Sequence, residues 1–159
     1  MNRASSLGFT LIEIAVVVAI IGILAVGAAP LSSHVQKRAQ ERELRVALRE
    51  IRSALYRYRK ATEEGHILRM ADTSGYPPNL DVLTEGVTDI LSPGTQKIYF
   101  LRRLPRDPLF PDARAPAAAT WGLRSYASTA DQPEPGKDVF DVFSLATGIG
   151  LNGIPYREW

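Results

Sequence analysis

The sequence of 159 residues contains no cysteine, and it has only two histidines and two tryptophans. Without cysteine there can be no disulfide bond, no thiolate nucleophile and no cysteine-ligated metal. Charge is nearly balanced, with 19 Lys and Arg against 17 Asp and Glu, so the overall charge gives no reason to expect nucleic acid as a partner. His34 and His66 are far apart in the sequence, and we expect both to lie at the surface.

The common catalytic motifs are also missing: a P-loop lysine motif, G-x-S-x-G and H-E-x-x-H. A G-x-G-x-x-G pattern occurs at residues 148–153, but only six residues follow it in this sequence. Such a pattern binds phosphate when it opens a helix, and six residues are too few for that helix. We therefore predict that the protein is not an enzyme.

The N-terminal region has very little charge. Between Arg3 and Lys37 the only charged residue is Glu13, and residues 14–33 carry none. A helix of that length is about 30 Å long, which matches the hydrocarbon core of a bilayer, so we predict a membrane segment. A cleaved secretory signal fits poorly, because Glu13 would lie in its apolar part and Pro30 would follow the cleavage site. An ordinary membrane anchor stays open, but it leaves Glu13 unexplained, since a carboxylate facing lipid costs about 2.5–3.5 kcal/mol.

The six residues Gly-Phe-Thr-Leu-Ile-Glu at positions 8–13 follow a short polar leader and precede the apolar run. This arrangement resembles the class III signal of type IV pilins and type II secretion pseudopilins. The resemblance implies that a prepilin peptidase cuts after Gly8 and N-methylates Phe9, so that Glu13 becomes the fifth residue of the mature chain.

The spacing between Phe9 and Glu13 has a physical meaning of its own. Residues four apart lie on the same face of a helix. The carboxylate can therefore be neutralised by the new α-amino group of its own chain or by that of a neighbouring chain. A pairing that repeats from chain to chain is a heterologous contact, which generates an open polymer. We predict that Glu13 is an assembly residue.

Pro30 interrupts the apolar run, and a proline inside a helix removes one hydrogen bond. Pilin-like proteins often carry a proline near this place, and the resemblance implies that the helix around Pro30 loosens in the fibre. It also implies a single-pass protein of the bacterial inner membrane with its C-terminal part in the periplasm. The positive-inside rule alone predicts the opposite orientation, because four basic residues follow the apolar run closely: Lys37, Arg38, Arg42 and Arg45. We follow the motif.

Residues 34–64 contain neither glycine nor proline, and their apolar residues recur with the period of a helix. We predict an amphipathic helix, the stem, that buries one face and exposes its charged residues, Glu41 among them, to solvent. The predicted buried positions are Leu44, Leu48, Ile51, Leu55 and Tyr58, with Ala47, Ala54 and Ala61 beside them.

The remaining residues, 65–159, form the predicted head. We expect a short helix at 80–85 capped by Asn79, a mobile insertion at 113–120, and strands at 121–127 and 139–145 that form a hairpin. The predicted fold is therefore α+β: a long N-terminal helix packed on a small antiparallel β-sheet head, as in pilins.

Several short motifs of the head resemble the G-type, or major, pseudopilin of type II secretion: Tyr76-Pro, Arg103-Leu-Pro-Arg-Asp-Pro, Trp121-Gly, Asp141-Val-Phe-Ser-Leu and the aromatic Trp159. The resemblance implies four regions: a leader at 1–8, a transmembrane and fibre-core helix at 9–33, the stem at 34–64 and a periplasmic head at 65–159.

By the same resemblance the protein is a structural subunit of a type II secretion pseudopilus, which polymerises to drive protein export across the outer membrane. The implied partners are further copies of the chain, other pseudopilins, the prepilin peptidase, the inner-membrane secretion platform and membrane lipid, but no nucleic acid. Two alternatives stay open, a minor pilin of a type IV pilus and a membrane-anchored periplasmic binding module.

Many major pseudopilins bind calcium through acidic residues of the final loop. In this sequence the corresponding stretch, residues 146–158, contains Asn152 and a single acid, Glu158. Calcium prefers six to eight oxygen ligands, several of them carboxylates. The acids that precede this stretch are expected to serve turns and solubility: Asp131, Glu134, Asp138 and Asp141. We predict no cofactor and no calcium site of the family type.

Overall fold

The computed structural model describes residues 10–70 and 73–159, and for residues 24–33 it describes the helical backbone but not the side chains. The longest element is helix α1, Leu11–Glu63. The head contains helix α2 (Val82–Glu85), strands β1 (Val87–Thr88), β2 (Lys97–Ile98), β3 (Trp121–Arg124) and β4 (Asp141–Ser144), and two 3₁₀ turns at Ala117–Thr120 and Tyr156–Glu158. This confirms the predicted pilin-like α+β fold.

The chain divides into two compact units, with the boundary between Ala39 and Gln40. In the first unit, the described side chains of α1 up to Ile23 are exposed. The second unit contains all of the buried apolar residues that the structure describes, and Leu44 is the first of them along the chain.

The predicted stripe of the stem is confirmed, because every one of its members is buried: Leu44, Ala47, Leu48, Ile51, Ala54, Leu55, Tyr58 and Ala61. They pack on the apolar residues of the head, which include Leu80, Leu83, Trp121 and Val142. One expectation for the stem is wrong: Glu41 is not on a solvated face but is buried, with 5% of its surface exposed.

Helix α1 ends where the sequence places a glycine. The amide of Gly65 donates to Thr62 O (3.2 Å) and the amide of His66 donates to Ala61 O (2.9 Å). This pair of bonds is a Schellman motif, and Gly65 has the positive φ of 84° that the motif requires. The predicted end near residue 64 is therefore correct to one residue.

The hairpin of the head is confirmed as an antiparallel pair, in which Trp121 lies opposite Ser144 and Arg124 lies opposite Asp141. Both strands are shorter than predicted. Beyond Arg124 the chain turns away, because the amide of Ser125 bonds to Glu134 O (2.9 Å). Before β4, the amide of Val139 bonds to Pro77 O (2.8 Å) instead of to β3.

Two smaller expectations for the head need correction. Helix α2 begins at Val82, two residues later than predicted, although Asn79 does accept a hydrogen bond from the Val82 amide at 3.1 Å. The segment 113–120 is bound to the head, because Arg106 donates to the carbonyl oxygens of Ala115 and Asp112. The two-stranded pair β1–β2, with Val87 opposite Ile98, was not predicted.

Candidate functional site

Glu13 lies in the first turn of α1, one turn after the residue that caps the helix. The Glu13 amide donates to Thr10 Oγ1 at 3.3 Å and to Thr10 O at 3.1 Å. Thr10 therefore acts as the N-cap, and the sequence Thr-x-x-Glu is that of a capping box. The side chain of Glu13 is exposed, and its position near the helix N-terminus is electrostatically favourable for a carboxylate.

Apolar side chains surround Glu13 in the described part of the first unit. Leu11 is 87% exposed, and the large apolar residues that follow it are also exposed: Ile12, Ile14, Val16, Val17, Val18, Ile20, Ile21 and Ile23. A helix that is apolar on all sides requires lipid or protein around it. Within the part of the chain that the structure describes, no helix has a stretch long and apolar enough to cross a bilayer.

The other predicted residues of this region cannot be placed in the same way. Gly8 and Phe9 lie outside the described residues, as does the side chain of Pro30, whose backbone belongs to α1. Their proposed roles in processing and assembly stay predictions. Thr10 was not predicted, although the Thr-x-x-Glu spacing is visible in the sequence and is a known signal for a helix start.

Three of the short motifs of the head come together in space around Asp107, which is 2% exposed: the Arg-Leu-Pro-Arg-Asp-Pro loop, Trp121-Gly and Asp141-Val-Phe-Ser-Leu. The Asp107 carboxylate accepts hydrogen bonds from Ser144 Oγ (2.5 Å) and from the amide of Leu109 (2.8 Å). The adjoining loop is bound by Trp121, whose Nε1 donates to Pro105 O at 2.9 Å. The Arg-Leu-Pro-Arg-Asp-Pro loop is thus fixed to both strands of the hairpin.

Comparisons of the sequence with known proteins show the family of the chain. Residues 3–29 match the model of the prokaryotic N-terminal methylation motif. The chain is 30% identical over 142 residues to the type II secretion system core protein G of Klebsiella michiganensis, an alignment that covers 87% of this chain and 92% of the relative. The chain belongs to the G-type pseudopilins. No solved structure is significantly similar to it.

The acids upstream of the pseudopilin's final loop have protein partners. Asp138 accepts hydrogen bonds from Ser74 Oγ (2.6 Å) and from the amide of Tyr126 (2.8 Å). Asp141 forms an ion pair with Arg52 at 2.7 Å. The contacts of Asp138 agree with the expected role in turns, whereas Asp141, which was also expected to serve turns and solubility, is paired with the stem.

The pseudopilin's glycine pattern at residues 148–153 forms a closed turn. The amide of Gly150 bonds to Ile154 O and the amide of Gly153 bonds to Gly150 O, both at 2.9 Å. Amides that are already bonded within the loop cannot form a phosphate cradle. The pattern is therefore a structural turn, as its position in the sequence suggested.

One cavity in the described part of the pseudopilin has a volume of about 780 Å³. Its lining is mainly apolar and aromatic, and Tyr76 and Tyr126 stack there with their ring centroids 6.0 Å apart. The single acid in the lining, Asp138, is already hydrogen-bonded as described above. We assign no chemical activity to this cavity.

Proposed function

We propose that the protein is a structural subunit of a type II secretion pseudopilus, cleaved after Gly8, N-methylated on Phe9 and polymerised through its N-terminal helix. The observation that carries the proposal is the exposed apolar surface of α1 around Glu13 in a chain of the G-type family. The similarity to a secretion protein also favours this function over a type IV pilus.

The exposed apolar residues of α1 need an apolar environment both before and after assembly. Before assembly, lipid would cover the surface from Leu11 to Ile23, and after assembly the helices of neighbouring subunits would cover it. Transfer from lipid to a bundle of helices is possible because apolar packing is available in both places. The proposed orientation places the head in the periplasm, where it can contact other pseudopilins and the secretion platform.

Glu13 would set the register of assembly. Its carboxylate is the only charge on the described apolar surface between Thr10 and Ile23, so it requires a positive partner in a medium without water. The α-amino group of a cleaved Phe9 has the right charge. On the same chain it lies four residues from Glu13, and a neighbouring chain would offer the same group. Pro30 would allow the helix to adjust as subunits pack.

The mass of the purified full-length protein tests processing. Expressed in cells with an active prepilin peptidase, the protein should begin at Phe9 and carry one methyl group. A mass that retains Met1 under these conditions, or a terminus well inside the apolar run, would contradict the proposal.

The substitution Glu13→Gln tests assembly. We expect the variant to be cleaved and to stay in the membrane, but its cross-linked oligomers should fall by roughly tenfold or more, because a loss of about 1.4 kcal/mol per contact is already tenfold. Glu43→Gln is the matched control, since Glu43 is an exposed carboxylate of the same helix. Normal filaments from Glu13→Gln would contradict the assembly role of Glu13.

A further inference from the structure

One face of the stem binds the last residues of the chain, the C-terminal segment, residues 146–159. Three stem residues reach it: Glu41, Arg45 and Arg52. Their spacing of four and seven residues places them on the same side of α1. All three belong to the second compact unit.

Glu41 makes the deepest of these contacts. Its Oε1 accepts one hydrogen bond from the amide of Leu151 (2.8 Å) and another from the Tyr156 hydroxyl (2.9 Å). Tyr156 is itself buried. Burial, together with the hydrogen bond to Glu41, raises the pKa of Tyr156 to about 12, so its hydroxyl keeps its proton and stays a donor at neutral pH.

The two arginines hold the end of the C-terminal segment. The guanidinium of Arg45 lies 4.4 Å from the centroid of the Trp159 ring. Arg52 donates to the main-chain oxygens of Trp159 (2.6 Å) and Val142 (3.0 Å). These contacts tie the segment both to the stem and to β4.

The segment is also closed on itself. Ile149 and Pro155 form an antiparallel bridge, and a side chain at Gly150 would overlap the indole of Trp159. Tyr156 and Trp159 contact each other edge to face, with centroids 5.1 Å apart. The segment is therefore held partly by contacts among its own residues.

The oxygen atoms near this loop do not suit the calcium that the family implies. Asn152 Oδ1 accepts from the amide of Ile154 (3.1 Å), and Asp141 is paired with Arg52. Glu158 is exposed on the surface. In the described part of the chain, no three carboxylate or histidine side chains are close enough together to ligate a metal. Calcium requires more oxygen ligands than these residues offer.

We infer that Glu41, with Arg45 and Arg52, holds the C-terminal segment in place of a metal ion, so that the head of this pseudopilin is stable without calcium. The buried carboxylate binds the loop amide and the tyrosine hydroxyl directly. The inference rests on membership of the G-type family but not on polymerisation, so it can fail while the proposed function stands.

Thermal unfolding of the full-length protein in detergent tests the first half of the inference. We expect the same melting temperature with millimolar calcium chloride as with EDTA. A calcium site filled at about 100 times its Kd would instead raise the melting temperature by roughly 5–10 °C. A calcium-dependent increase of this size would overturn the inference.

The substitution Glu41→Ala tests the second half, because it leaves the Leu151 amide and the Tyr156 hydroxyl without their acceptor. We expect the melting temperature to fall by roughly 5–10 °C and amide exchange to increase in residues 146–159. Glu43→Ala, two residues away and exposed, should change neither quantity. Equal behaviour of the two variants would overturn the role of Glu41.

Tyr156→Phe provides a milder change in case Glu41→Ala does not fold. It removes the hydroxyl and keeps the ring, so the fold should persist while exchange in residues 146–159 increases. If exchange in this segment stays at the level of the unmodified protein, the hydrogen bond to Glu41 does not hold the loop. Calcium should not restore protection in either variant, and a restoration would indicate a metal site.

Discussion

We expect substitutions of Asp107 to destabilise the head, because its buried carboxylate accepts hydrogen bonds from two donors, one on β4 and one in the loop after Asp107. In Asp107→Ala, the Ser144 hydroxyl and the Leu109 amide lose their partner inside the head. We expect a loss of about 2–4 kcal/mol in the free energy of unfolding, measured by urea denaturation. Asp112→Ala is the control: this carboxylate is exposed, and its loss should change stability by less than about 0.5 kcal/mol. Equal losses in both variants would refute the argument.

The pair His66 and Asp89 provides a pH-dependent contact beside the end of α1. His66 Nδ1 lies 2.9 Å from Asp89 Oδ1, and this hydrogen bond lowers the pKa of Asp89 below its ordinary value. Since the folded pKa lies below that of the unfolded chain, the contribution of the contact is present above the ordinary aspartate pKa. It is lost as the pH falls through the lowered value.

The substitution His66→Ala should raise the pKa of Asp89 towards that of a free aspartate. The change can be followed by NMR titration of the Asp89 carboxyl carbon in the full-length protein. His34→Ala, which removes the other histidine in a different compact unit, should leave the titration unchanged. An unchanged Asp89 in His66→Ala would show that the hydrogen bond does not set its pKa.

Residues with long-range polar partners were the hardest to predict. Glu41 lies in a run of charged residues and looks like its solvated neighbours, because its partners Leu151 and Tyr156 come more than a hundred residues later. Ser144 and Asp107 are also far apart in the sequence. The prediction that Glu13 is an assembly residue has a local basis instead, one charge in an apolar run at a fixed distance from a glycine, and it stays a prediction.

At the level of elements, the helix could be predicted from local signals, whereas the ends of the strands depend on partners that are distant in the sequence. The buried apolar stripe of the stem was predicted residue by residue, since a period of 3.6 and a terminal glycine are contained in the local sequence. The strands were predicted too long, because their ends depend on which partner each amide finds. Ser125 bonds to Glu134 and Val139 bonds to Pro77, and neither choice is visible in a local pattern.

Gly122 explains part of the Trp-Gly motif through the pairing of β3 with β4. It lies opposite Phe143, and a Cβ at this position would overlap the Phe143 ring. In Gly122→Ala the ring must move or the strands must separate, so we expect a loss of about 1–3 kcal/mol in unfolding free energy by urea denaturation. In a protein that already carries Phe143→Leu, the substitution Gly122→Ala should cost less unfolding free energy than it does in the unmodified protein. A fully additive loss would show that the ring is not the cause.

At the scale of the whole molecule, the stem and the head share one core. Eight of the seventeen buried apolar residues that the structure describes belong to α1, from Leu44 to Ala61, and the other nine belong to the head. None comes from the described part of the first unit, whose apolar side chains are exposed. The residues from Leu11 to Ile23, which would enter lipid or a fibre, contribute none of the described core residues, so the apolar surface and the described core are separate sets of residues.

This separation predicts that residues 34–159 fold without the apolar helix. The fragment keeps every buried apolar residue that the structure describes, as well as Glu41 and its partners. We expect it to stay soluble without detergent and to unfold in a single cooperative thermal transition, followed by circular dichroism. Residues 65–159 are the matched control, because removal of the stem takes away nearly half of the core and should abolish the transition. A fragment 34–159 that unfolds without cooperativity would mean that residues before 34 are needed for a stable head, and it would contradict this prediction.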